Sequence, residues 1–352
     1  MTRLRASETE LVRPEGLPEG SVVSVFRVPP EGAGLRLDVF LVSELRRTSR
    51  TRAQAIIRAS AFDDRGRKLR ANDRVFAEQR VLLWRPAWDE TPEPHDVPVL
   101  FEDPHLLAVS KPAGLPVHPT ARYHKNTLIM LLKSERPGEF VSLGHRIDRE
   151  TSGVLLAPRT PACDRLLKRA FEERDDIEKT YLAITWGVPR GATVAEELRF
   201  ECGMYLPKQA KFGVKMELAQ PGEGLSSATR FTVLGVRARP VEAGRPAQEY
   251  ALVQCVLESG RQHQIRLHLA TLGAPIVGDK LYGPDEGCFP RGADGELTSD
   301  DLALLELPRH ALHAHRLELP HPITGERLRI EAPLPLDLAE FWDALAPAPA
   351  PT

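Results

Sequence analysis

From Val97 onward the sequence is written in short apolar runs separated by turn residues, and this punctuation limits the fold more than any other feature. VPVLFED, HLLAVSK, GVLLAP, KTYLAITWG and YALVQCVLES are strand-length strings bounded by Gly, Pro or charge, while few stretches, CDRLLKRAFEERD among them, have helical periodicity. The pattern predicts an α+β domain built on a mixed or antiparallel sheet. None of the runs approaches the ~20 apolar residues of a membrane span. The opening MTRLRASETELVRPEG has basic residues but no apolar stretch behind them, so it does not read as a secretory signal. The cytoplasm is the expected location. Cys163, Cys202, Cys255 and Cys288 lie far apart with no C-x-x-C pair, which argues against a zinc ribbon or redox motif.

At roughly 150 residues per domain, a chain of 352 residues predicts about two domains. The formal net charge of -2 hides an asymmetry: between Gly34 and Pro86, thirteen Lys or Arg face six Asp or Glu, a local +7. Such a patch attracts phosphates, although a solvated helical face is the alternative from charge alone. RLDVFLVSEL and SRTRAQAIIRA predict two short amphipathic helices, the second capped by Ser49, and RVFAEQRVLLW predicts a closing strand. The expected organisation is an N-terminal extension at 1–33, a basic module at 34–86, a linker at 87–96, a large domain at 97–337 and a tail at 338–352. Two insertions read as loops: PGEGLSSATR with the later ARPVEAGRPAQE, and the acidic PDEGCFPRGADGELTSDD, whose role is open between a lid and simple loop growth.

The densest set of reactive side chains is GHRIDRETSG, Gly144 to Gly153, a charged loop that runs straight into the apolar VLLAP. With arginines at 146 and 149, the Asp148 carboxylate is expected to stay ionised, which suits a nucleophile; a surface salt bridge is the competing reading. HRIDRETSGVLL resembles the signature of the RluA-type RNA pseudouridine synthases. KPAGLPVHP, EKTYLAITWG, SGRQHQIRLHLATLGAPIVGDKLYG and LHAHRLELPHPITG follow that family's motifs in order. The basic module, through RLD and SRTRAQAIIR, resembles the S4 RNA-binding domain, although ASAFDDRGR stands where that family has a glycine and an Asn-Gly turn.

The resemblance implies a pseudouridine synthase catalytic domain with a small N-terminal S4-like α/β domain. It implies that Asp148 is catalytic, that Tyr181 acts at the base, that Arg266 pairs with the aspartate and that Arg146 enters the RNA stack as the target nucleotide flips out. His145, Arg149, Lys179 and Gln264 are expected substrate contacts, and Arg36, Arg50, Arg52, Arg58 and Lys68 are the expected RNA contacts of the module. The implied partner is RNA, most readily large-subunit ribosomal RNA; transfer RNA, or a non-catalytic RNA-binding or ribosome-assembly role, are the alternatives. No cofactor is expected for an isomerisation, and a monomer is expected. His310, His313 and His315 have no carboxylate or cysteine at a ligand offset, so no metal is expected.

Overall fold

The computed structural model describes residues 11, 13–18, 21–45, 48–85, 96–120, 123, 125–173, 176–207, 211–239 and 247–347. The expected linker at 87–96 falls outside these residues except for Asp96, as do Arg46, Arg47 and the last residues of the expected tail. The chain divides into two units, Met1–Thr91 and Pro92–Thr352.

In the first unit, β1 (Val22–Arg27) precedes α1 (Leu37–Glu44), α2 (Arg50–Ser60), β2 (Ala61–Phe62) and β3 (Arg80–Arg85). Helix α2 starts where its cap predicts, because the Ser49 hydroxyl accepts the Arg52 backbone N–H at 3.3 Å. Its Ala53 and Ile57 pack with Leu37, Phe40 and Leu41 of α1 and with Val81 and Leu83 of β3. Strand β1 pairs antiparallel with β3 from Val22↔Arg85 to Arg27↔Arg80, completing a sheet in the order β1-β3-β2. The module therefore begins well before residue 34: part of the expected extension at 1–33 is a strand.

The second unit runs β4 (Val99–Glu102), β5 (Leu106–Lys111), α3 (Leu128–Glu135), β6 (Ser152–Pro158), α4 (Pro161–Glu173), β7 (Glu178–Trp186), β8 (Glu197–Tyr205), β9 (Glu217–Leu218), β10 (Leu225–Arg239), β11 (Gln248–Leu257), α5 (Gln264–Thr271), α6 (Cys288–Asp294), α7 (Ser299–Leu305), β12 (Leu312–Pro320), β13 (Arg327–Glu331), α8 (Leu336–Asp343) and β14 (Ala346–Pro347). One sheet has the order β4-β5-β6-β12-β7-β11-β10-β8-β9, with β13 on β12 and β14 on β10. Among the described residues its pairs are antiparallel except β6 with β12, a short parallel contact at His313↔Ser152 and Ala314↔Gly153. There Gly153 has φ +112°, and a Cβ would lie 2.1 Å from the Ala314 carbonyl oxygen, so only glycine fits the crossing.

Strand β6 is buried along its whole length, which explains its unbroken apolar sequence. Leu155 and Ala157 pack with Leu128 and Leu132 of α3, and Val154 and Leu156 pack with Cys163 and Leu167 of α4. Farther along the sheet, Ile265 and Leu269 of α5 pack against Ala183, Phe231, Val253 and Cys255.

Three expectations are corrected. LSSATR is not loop: it opens β10, pairing with β8 from Leu225↔Met204, and its buried Ser227 and Thr229 hydroxyls both bond the His268 ring of α5. The acidic segment holds two helices, because Thr298 and Asp301 form a reciprocal cap at the start of α7 and Arg291 pairs with Asp301. The expected tail from 338 cuts through α8, whose Leu338 and Trp342 belong to the core.

Candidate active site

A cavity of about 180 Å³ opens where the start of β12, strand β7, the end of β11 and the start of α5 come together. Arg146, Asp148, Thr151, Tyr181, Gly260, His263, Gln264 and Arg266 are among its lining residues, so all three residues expected to be catalytic share one space.

Asp148 lies on the non-helical turn that leads into β6, and its side chain is 26% exposed. The Arg266 guanidinium donates to its Oδ2 at 3.1 Å, and His263 Nε2 lies 3.9 Å away. Burial works against the charge, but His263 and Arg266 outweigh it and hold the carboxyl below its ordinary range. Its sequence neighbours are not its partners: Arg149 donates to the Tyr123 hydroxyl at 2.8 Å and pairs with Glu150, while Arg146 is exposed at the rim. The ionised state expected for Asp148 therefore has a different source.

Arg266 is held on its other side by Asp279, a fully buried residue that sequence reasoning did not single out. Nε and Nη2 donate to the two Asp279 oxygens at 2.6 and 2.8 Å, and Asp279 Oδ1 also accepts the Leu281 and Tyr282 backbone N–H groups. The guanidinium carbon lies 5.2 Å from the centre of the Tyr282 ring. A planar fork gripped this way presents one remaining edge to Asp148, which a lysine could not do. The aspartate of GDKLYG was the available signal.

Tyr181 sits in β7 opposite Cys255 and Ala314. Burial first, then the Asp148 charge, push its phenol well above the ordinary range, so it is neutral in the resting site. His263 begins α5 with φ +57°, an unusual backbone for this residue, and its Nδ1 contacts the Tyr282 hydroxyl at 3.1 Å. Burial and Arg266 push its pKa down to about 4.

The expected substrate contacts separate. Lys179 Nζ sits over the Phe171 ring at 4.6 Å and close to Gly260 of the cavity wall. Gln264 lines the cavity, but its amide is engaged by Ala228, Thr229, Ser259 and Arg261. His145 and Arg149 are not among the cavity's lining residues; His145 Nε2 accepts the Leu156 N–H at 3.1 Å, and burial and Lys179 push its pKa down to about 3. Lys111, also missed, is fully buried and donates to the carbonyls of Pro112, Leu115 and Arg149 at 2.7, 2.9 and 2.9 Å, pinning the turn beside Asp148.

In the first unit, Arg36, Arg50 and Gln54 converge on the buried carboxylate of Asp38, so two of the five expected RNA contacts are engaged in an ion pair within the fold, although the Arg50 side chain stays 58% exposed. Arg52 and Arg58 are exposed, and Lys68 donates to the Ala59 carbonyl beside the Phe62 ring. The three histidines of the sequence share no ligand point: His310 meets Thr151, His313 bridges Ser152 and Ala332, and His315 meets Ala332. Among the described residues, Asp285, Cys288 and Asp301 are the one group close enough for a metal, and Arg291 already pairs with both carboxylates.

A family model described as RNA pseudouridylate synthase matches residues 105–271, which include Asp148, Tyr181 and Arg266. A ribosomal large subunit pseudouridine synthase D of Xanthomonas campestris is 32% identical over 327 residues, covering 90% of this chain and 91% of its own. The chain belongs to the RNA pseudouridine synthase family. A second pseudouridine synthase D, from Nitrosomonas europaea, is 31% identical over 340 residues, covering 92% of this chain and 88% of its own. The solved human RNA Pseudouridylate Synthase Domain Containing 1 has the same fold, with a TM-score of 0.54 at 24% identity over 74% of this chain and 94% of that one. As a pseudouridine synthase the protein is an isomerase acting on RNA, and no helix among its described residues is long and apolar enough to cross a membrane.

Proposed function

We propose that this synthase isomerises uridines of large-subunit ribosomal RNA, with Asp148 as its catalytic carboxylate. The observation that carries the assignment is the chain Asp279, Arg266, Asp148: a buried, bidentate ion pair whose arginine turns its remaining nitrogen, Nη1, to one carboxylate at the cavity. The choice of RNA is supported by the printed names of the Xanthomonas and Nitrosomonas relatives, each similar over most of its length.

The reaction breaks the N1–C1′ bond of uridine and forms C5–C1′; C5 loses a proton and N1 gains one. Composition is unchanged, so the chemistry consumes no cofactor. An ionised Asp148 assists departure of the base, by attack or by taking a sugar proton. Tyr181, neutral at rest, passes its proton to N1, and the resulting phenolate takes the proton from C5, which closes the balance. The exposed Arg146 fills the stack vacated by the flipped nucleotide, at a cost to the RNA of a few kcal/mol in unstacking. The S4-like unit adds RNA affinity through Arg52 and Arg58, and the protein works as a cytoplasmic monomer.

Pseudouridine mapping of total RNA from cells lacking the gene tests this reading. Specific large-subunit uridines should lose modification, and wild type but not Asp148→Ala should restore them. Restoration by Asp148→Ala would remove that residue from the chemistry, and a change confined to transfer RNA would remove the ribosomal target.

A further inference from the structure

Gly292 of the acidic segment lies against the Lys280 stem, and Lys280 pairs with Glu150, two residues from Asp148. We propose that Lys280 is a positioning residue for the isomerisation, clamped by α6 and acting through Glu150, and that the acidic segment is a brace behind the reactive carboxylate. The inference rests on the assignment of Asp148 given above.

Glu150 is two residues from Asp148, and both of its carboxylate oxygens accept from Lys280 Nζ, at 2.9 and 3.0 Å. The ammonium also donates to the Pro308 carbonyl at 2.6 Å, so a single buried charge ties the reactive loop to the end of the acidic segment. Glu150 is also faced by Arg149, at 3.4 Å from Oε1, and by His310, whose backbone N–H donates to Oε2 at 3.3 Å and whose Nδ1 is 3.7 Å from it. Lys280 follows Asp279 directly in the chain. One backbone turn thus fixes Asp148 twice, from its ionic partner through Asp279 and Arg266, and from its own loop through Lys280 and Glu150.

Helix α6 closes this arrangement from outside. A Cβ added to Gly292 would lie 2.5 Å from Lys280 Cδ and 2.9 Å from Cε, so the helix backbone rests closely on the lysine stem. The segment is itself anchored. Glu306, at φ +64°, accepts from Trp186 Nε1 at 3.0 Å and from Arg239 and the Tyr250 hydroxyl at 2.6 Å each. Lys211 and Lys215 meet Glu286 at its other end. A lid must leave and return at little cost, and the largely buried Glu306 contacts work against that.

The test uses the full-length protein, a transcript of large-subunit ribosomal RNA carrying tritium at uridine C5, and single-turnover release of tritium at saturating enzyme. Lys280→Ala and Gly292→Val should each slow release by roughly 10- to 100-fold, the effect of a small misplacement of a reactive group. RNA affinity should stay within about twofold of wild type, because neither residue reaches the cavity. Combined, they should be no slower than Lys280→Ala alone, since the stem atoms that valine would strike are gone. A wild-type rate for Gly292→Val, or a Gly292→Val loss that persists in the Lys280→Ala background, overturns the brace. If Lys280→Ala does not fold, Lys280→Met with Glu150→Gln removes both charges at similar volume; that pair should release tritium slowly, and a wild-type rate from it refutes the proposal equally. A wild type that releases no tritium, or an Asp148→Ala that does, overturns the catalytic assignment itself and the brace with it.

Discussion

Replacing Arg266 by methionine removes the cation and keeps most of the volume. At 3.1 Å, and with an effective dielectric constant of about 20, the Arg266–Asp148 attraction has a ceiling of about 5 kcal/mol, or about 4 pH units of carboxyl pKa. Two facts lower that ceiling: Arg266 shares its charge with Asp279 at 2.6 Å, and the Asp148 side chain is 26% exposed. A rise of roughly 1 to 3 units is therefore expected, as burial is no longer offset. Because an ionised Asp148 is required, the acid limb of the single-turnover rate should move upward by that amount, while the rate well above it falls less. Stability changes with the opposite sense of pH. In the wild type the Asp148 and Asp279 carboxyls are held low, so their contribution is present above the ordinary carboxylate range and is lost as pH falls through their folded values. In Arg266→Met, Asp279 becomes a buried charge without its partner, and the penalty of about 3 to 5 kcal/mol is greatest near neutrality and eases as acid protonates it. For a unit of this size that is a fall in Tm of roughly 6 to 20 °C at pH 7. Tritium release from pH 4 to 9, run below the variant's melting range, measures the limb. A folded Arg266→Met whose acid limb coincides with that of wild type would refute the electrostatic role assigned to the arginine.

Two further outcomes follow from contacts already described. Lys111→Met leaves three carbonyls, one buried and two partly buried, without their donor and should cost about 3 kcal/mol, read as a lower Tm and a slower isomerisation with little change in RNA affinity; burial pushes the Lys111 ammonium down to about 7, so the wild type should gain stability as pH rises from about 7 toward 10. Arg52→Ala with Arg58→Ala should flatten the salt dependence of RNA binding by about two counterions without moving Tm, whereas Arg36→Ala or Arg50→Ala should lower the Tm of the first unit by uncovering Asp38. Titration of binding against salt, beside thermal melts, separates the two pairs.

The parts of this structure legible in the sequence are those whose cause is local. Ser49 caps α2 because a hydroxyl one residue ahead of an amphipathic run has a single good use, and β6 is strand because VLLAP has apolar residues for both faces. Asp148, Tyr181 and Arg266 could be placed in one site only through family resemblance, since 118 residues separate the two that touch. Partners chosen by the tertiary fold are not legible in the sequence: the arginines beside Asp148 point elsewhere, Asp279 meets Arg266 only through the fold, and Arg36 and Arg50, expected to meet RNA, pair with the buried Asp38. The lost tail has a plainer cause. Leu338, Phe341, Trp342 and Leu345 recur at helical spacing, but the proline-rich end beyond them drew the boundary too early.

Strand β12 lies between β6 and β7, yet it is made more than 120 residues after either of them. Without it, β4, β5 and β6 would be one ribbon and β7, β11, β10, β8 and β9 another, with no other strand among the described residues joining them. Asp148 belongs to the first ribbon and Arg266 to the second. A chain that stopped short of β12 would therefore hold Asp148, Tyr181 and Arg266 and still lack the strand that joins the two halves of their sheet, so the site depends on one segment placed late in the sequence.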